Sequence, residues 1–138
     1  LIIAIGGNSG AQAASLIIRS LAIGEVAIGD WLRVLRRELL SGLLMGLVLG
    51  GIGMLCAVLA AGMTAGADPA HQWQTGLAIG IAVVAVVTAG TIVGSMLPFV
   101  LEVVGIDPAT GSTPLVATII DVSGLIIYFT VALLVLGV

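Results

Sequence analysis

Three stretches of this chain carry almost no charge: residues 39–67 have none, residues 69–101 have none if His71 is neutral, and residues 108–138 have only Asp121. Each exceeds the roughly 20 apolar residues that a helix needs to cross the hydrocarbon core of a bilayer. Runs of that kind leave few folds open, because backbone polar groups in lipid must be satisfied within the segment itself. The chain therefore reads as all-α, an integral membrane helical bundle. Composition agrees: 60% of the 138 residues are hydrophobic and 8% are charged, whereas a soluble domain carries about 25% charged residues.

The expected organisation is one transmembrane domain over 1–138, with a partial helix at 1–18, a connection at 19–38, and spans at 39–61, 75–101 and 114–138. All four basic residues, Arg19, Arg33, Arg36 and Arg37, fall in the connection. Arginine enrichment marks the cytoplasmic side, so alternation puts Asp68 and His71 outside, residues 102–113 inside and the C-terminus outside a multi-pass cell-membrane protein. Within the connection, GDWLRVLRRELL reads as an interfacial helix with Asp30 as N-cap and Trp31 at headgroup depth, and Trp73 is the matching outer anchor. The opening LIIAI starts inside a helix already under way, so an upstream segment is expected.

Gly42, Gly46 and Gly50 recur every fourth residue, as do Gly76 with Gly80 and Gly90 with Gly94. Such stripes let membrane helices approach closely. Pro98 should kink its span near the inner end. GGNSGAQ, residues 6–12, puts three glycines and three polar side chains at membrane depth, which predicts loosened backbone held by protein or a wet cavity. Where the helix resumes, Asn8, Gln12, Ser15 and Arg19 share a face that either bonds helices together or lines a conduction path. Cys56 stands alone and is expected to be a small buried hydrophobe.

Asp121 is the residue that calls for chemistry. A carboxylate inside a membrane helix costs several kcal/mol unless water, a cation or a polar partner meets it. Thr113 and Pro114 are expected to cap and open the last helix about two turns before it. Pro114, Ala117, Asp121, Gly124 and Tyr128 then share one face, with Ile119, Ile120, Ile126 and Ile127 largely off it. Three readings remain: a packing bond to Asn8, Gln12 or Ser123, a proton relay, or a cation site, and no Lys or Arg within the membrane is available as a partner. One carboxylate is thin charge for a divalent ion, but a two-fold axis beside this helix would bring two together. Few direct ligands suit hydrated Mg²⁺, with Mn²⁺ as a substitute, better than Ca²⁺. No nucleophile with a base, phosphate-binding loop or His cluster points to an enzyme, and no feature points to nucleic acid.

These residues resemble the membrane domain of the MgtE family of magnesium channels. The likeness spans the chain and is carried by GGNSGAQAASLIIRSLA, residues 6–22, and SMLPFVLEVVGIDPATGSTPLVATIIDVSGLIIYF, residues 95–129. The resemblance implies a homodimer in the lipid bilayer, five helices per subunit, and a pore at the dimer axis lined by the second and fifth. It implies that Asp121 is the pore acid, that the Ala117 main-chain oxygen helps to hold hydrated Mg²⁺, and that Gly7, Asn8, Gln12, Thr113, Pro114, Thr118 and Gly124 line the path. Ala11 stands where relatives often carry a second amide, and Thr113 where some carry Asn. A first helix and the cytoplasmic acidic and CBS domains that gate relatives are expected upstream. The rivals to a Mg²⁺ channel are a proton- or sodium-coupled carrier that titrates Asp121, and a scaffold that transports nothing.

Overall fold

The computed structural model describes residues 2–63 and 68–137. Residues 1, 64–67 and 138, including the extremes of the first and last expected segments, lie outside the described residues. The elements in order are α1 (Ile2–Ala22), a 3-10 turn (Ile28–Asp30), α2 (Trp31–Gly62), α3 (Pro69–Val104) and α4 (Pro108–Leu136). No strand occurs among the described residues. Three segments, Ile28–Gly62, Pro69–Val104 and Pro108–Leu136, are long and apolar enough to cross a membrane. At about 1.5 Å per residue, the 36 residues of α3 exceed a hydrocarbon core of about 30 Å, so its ends reach the headgroup layers.

The helix limits follow local chemistry. α3 and α4 open with the same Asp-Pro device: the Asp68 carboxylate accepts from the Ala70 N–H at 3.2 Å and that of Asp107 from the Ala109 N–H at 2.9 Å. Pro69 and Pro108 take the first helical position, where no N–H is needed. α3 ends at Gly105, whose φ of 80° lets the chain turn back and return the Ile106 N–H to the Leu101 carbonyl.

Three expectations are corrected here. Thr113 and Pro114 do not open the last helix; Pro114 lies inside α4, because Asp107 supplies the cap one and a half turns earlier. The glycine-rich segment 6–12 is regular helix within α1, because neighbouring helices, and not a break, explain most of its glycines. The arginine-bearing segment is no separate interfacial helix but the first turns of α2, with Asp30 bonded to the Ala27 N–H and paired with Arg33 rather than capping α2 through its side chain.

α3 is the hub, packed against α1, α2 and α4. Two glycine seams bring backbones together on it. On one side Gly6 and Gly10 of α1 meet Gly90 and Gly94 of α3; a Cβ on Gly10 would stand 2.7 Å from the Gly90 carbonyl oxygen. On the other, a Cβ on Gly46 would lie 3.0 Å from the Val84 Cα, and one on Gly50 2.7 Å from the Gly80 oxygen. No side chain fits there, so glycine is the residue that permits the contact. Ala14, Val86, Val116 and Ile120 form the core where α1, α3 and α4 meet, and Ile17, Val34 and Phe99 form a second cluster. Buried hydroxyls are satisfied within their own helix, as Ser95 is by the Ile92 carbonyl at 3.1 Å. Leu44, Leu47, Val48, Leu55 and Leu59 of α2 point outward, as lipid contact requires.

Candidate functional site

α4 separates its residues by face. Ser112, Val116, Ile120 and Gly124, each four residues apart, are buried toward α1 and α3. Thr113, Pro114, Thr118 and Asp121 are exposed, and Ala117 is half-buried between the two sets. Gly124, expected on the open face, instead lies against the Ile3 and Val86 side chains, 3.5 Å from where its Cβ would be. A glycine four residues beyond Ile120 must follow the buried stripe.

Asp121 is the fourteenth of the 29 residues of α4. Moving the helix start from Thr113 back to Pro108 places the carboxylate about 20 Å from that start, near the middle of the helix. Among the described residues no hydrogen bond or ion pair reaches it. Ser123, one of its expected partners, donates to the Ile119 carbonyl at 2.7 Å. Asn8 and Gln12 are exposed and do not bond it. Gly7 of α1 faces it across open space: the position a Cβ would take there is 3.9 Å from Asp121 Oδ1.

The polar face of α1 continues from that position. Asn8, Gln12, Ser15 and Arg19 are all exposed, and Asn8, Ala11, Gln12, Ser15 and Leu16 line an open concavity of about 560 Å³. The hydroxyl protons nearby are spoken for: Ser15 donates to the Ala11 carbonyl at 2.9 Å and Thr118 to the Pro114 carbonyl at 3.0 Å. Both residues are exposed, so what they offer to solvent is acceptor oxygen. Pro114 has no N–H to give Thr110, leaving another carbonyl without its helical donor. The open face of α1 and α4 thus presents a carboxylate, amides and oxygen acceptors, with Arg19 at one end.

A second concavity, of about 600 Å³, lies at the start of α1 between α2 and α4, lined by Ile3, Ile52, Cys56, Val83, Tyr128 and Phe129 among others. Its walls are almost wholly apolar and hold no carboxylate, so it has nothing with which to hold a cation. Cys56, expected to be buried, is exposed at its edge, since α2 turns only its glycine stripe toward α3. Tyr128 is half-buried and meets Phe129 edge to face at 5.4 Å. Among the described residues, no group of three or more His, Cys, Asp or Glu side chains gathers to chelate a bare metal ion.

Of the residues singled out by sequence, then, Asp121, Gly7, Thr118, Thr113 and Pro114 lie on or beside one open face with Asn8 and Gln12 on the adjoining helix, Ala117 sits at its margin, and Gly124 turns inward. Ala11 and Leu16 also line the concavity; their positions beside Asn8 and Gln12 on a helical net were the available signal.

Comparison with known proteins adds the following. The family model MgtE, described as "Divalent cation transporter", matches residues 1–131. A "Magnesium transporter MgtE" of Thermus thermophilus is 41% identical over 136 residues, covering 99% of this chain and 28% of that protein. Proteins of the same name from Enterococcus faecalis and Bacillus subtilis are each 30% identical, over 132 and 130 residues, covering 96% and 91% of this chain. The chain spans 26% to 28% of the length of these relatives.

Proposed function

Because this chain belongs to the MgtE family of divalent cation transporters, we propose that it forms the conducting part of a magnesium channel, passing Mg²⁺ down its electrochemical gradient through a homodimer. The observation that carries the reading is Asp121: a carboxylate at mid-helix in a membrane span, exposed, with no polar partner among the described residues. An isolated charge at that depth costs several kcal/mol unless water or a counter-ion meets it. A two-fold axis beside the open face of α1 and α4 supplies both, since two carboxylates then face a common aqueous space.

In this mechanism the two Asp121 side chains hold a hydrated Mg²⁺ rather than stripping it, because Mg²⁺ dehydrates reluctantly and Asp121 alone brings a carboxylate to mid-span on this face among the described residues. The main-chain oxygen of Ala117, one turn earlier, accepts from the ion's water shell. Asn8, Gln12, Thr113, Pro114 and Thr118 continue an acceptor-rich lining. The Arg19 to Arg37 region faces the cytoplasm and the C-terminus lies outside, by the arginine rule. An inside-negative potential then drives entry by about 2.3 kcal/mol per charge per 100 mV. Mn²⁺, with similar coordination needs, substitutes.

A broken first segment would favour the coupled carrier that titrates Asp121, but α1 is continuous over Ile2–Ala22. The scaffold reading needs a packing partner for Asp121, and none is present among the described residues. The test is Mg²⁺ uptake by the full-length protein in liposomes, under an inside-negative potential and separately under an imposed pH gradient. Uptake that follows voltage, ignores the pH gradient and is lost in Asp121→Asn supports the channel. Uptake that tracks the pH gradient, or survives the substitution intact, refutes it.

A further inference from the structure

The glycines of GGNSG are not alike. Gly6 and Gly10 are required by packing, because a Cβ on either would press on Val86, Gly90 or Val116 at under 3 Å. Gly7 sits between them in sequence and is buried, yet among the described residues a Cβ there would meet nothing within 4 Å except Asp121 Oδ1, at 3.9 Å. That is ordinary contact, so sterics do not exclude alanine. Nor does the backbone, since Gly7 lies in regular α-helix, where alanine is favoured over glycine by about 1 kcal/mol. Stability alone would place alanine at this position.

We propose that Gly7 is a positioning residue for Asp121, kept bare so that the inner carboxylate oxygen stays hydrated and free to swing toward the ion. This rests on the reading of Asp121 as the ion-holding group. A methyl at position 7 would lie in van der Waals contact with Oδ1 and displace the water that hydrates that edge. Partial desolvation weakens the charged form and shifts the rotamer preferred by the carboxylate. A serine would do something different: its hydroxyl would come within hydrogen-bond reach of Oδ1 and donate to it, tying the carboxylate to α1. Either change acts on ion holding while leaving the α1–α3 seam untouched.

The experiment compares, in the full-length protein reconstituted in liposomes, wild type, Gly7→Ala, Gly7→Ser and Asp121→Asn. The readouts are the Mg²⁺ concentration at half-maximal uptake, Ca²⁺ competition, and thermal stability in detergent. We expect Gly7→Ala to match or exceed wild type in stability while raising the half-saturating Mg²⁺ concentration roughly fivefold and weakening discrimination against Ca²⁺, whereas Asp121→Asn should abolish uptake. Gly7→Ser should also raise half-saturation with stability kept. If Gly7→Ala conducts like wild type while Asp121→Asn is impaired, the positioning role is wrong and the site reading stands. If Gly7→Ala costs stability and its flux falls only with the amount of folded protein, the glycine serves packing and the proposal fails. If Asp121→Asn itself conducts normally, both readings fall.

Discussion

α3 and α4 are equally apolar by composition, yet half of the most hydrophobic window of α3 is buried within the chain and only 11% of that of α4. Hydrophobicity therefore says that both cross the bilayer and nothing about which neighbour each one meets. What distinguishes them is the small and the polar residues. α3 places Gly76, Gly80, Gly90 and Gly94 where other helices touch backbone, whereas α4 places a carboxylate and hydroxyl-bearing residues on a side left exposed among the described residues. In lipid, where no hydrophobic drive brings helices together, a glycine stripe reports contact within the bundle. An uncovered acid reports a wet surface.

That contrast can be broken from either end. The largest effect is expected at the α1–α3 seam: Gly10→Leu would drive a side chain into the Gly90 backbone and should cost about 3 kcal/mol or more, read as loss of a monodisperse species in detergent. Next comes the shared core, where Ile120→Ala should destabilise by about 2 to 4 kcal/mol, measured as the thermal transition of purified protein. On the open face the order reverses. Asn8→Ala and Gln12→Ala should stay within about 0.5 kcal/mol of wild type in stability while lowering Mg²⁺ flux; loss of stability with intact flux would place these amides in packing instead. The smallest effects belong to the outer surface: Leu47→Ala should change neither property measurably, and Arg33→Ala, which removes an exposed pair with Asp30 at 2.9 Å, should cost under about 1 kcal/mol.

Much of the bundle was legible from residue spacing. Charge-free runs locate α2, α3 and α4, and the four-residue glycine spacing anticipates the α2–α3 seam and the α3 side of the α1–α3 seam, because helical periodicity and the need for close backbone approach are local rules. The limits of α4 were misplaced for a local reason too: Thr113 and Pro114 look like a helix start, but Asp107 with Pro108 is a stronger version of the same signal and lies earlier. The glycine-rich stretch of α1 misled differently. Glycine and amides together suggest broken helix, and only the partner helix reveals that Gly6 and Gly10 face glycines of α3 while Asn8 and Gln12 face outward. Gly124 shows the same limit, since a three-residue step from Asp121 is close on a helix but here falls on the buried side. Which side of a membrane helix meets protein depends on its neighbours, and spacing within one helix does not carry that information.

In the proposed channel the uncovered face of α1 and α4 meets its counterpart in a second copy and holds an ion there. The most direct test is crystals of the full-length protein soaked with Mn²⁺ and measured for anomalous scattering. A peak is expected on a two-fold axis between two Asp121 carboxylates, at water-mediated distance from them and beside the Ala117 carbonyls. Asp121 facing lipid or a packing partner, with no peak between the copies, would contradict the proposed channel.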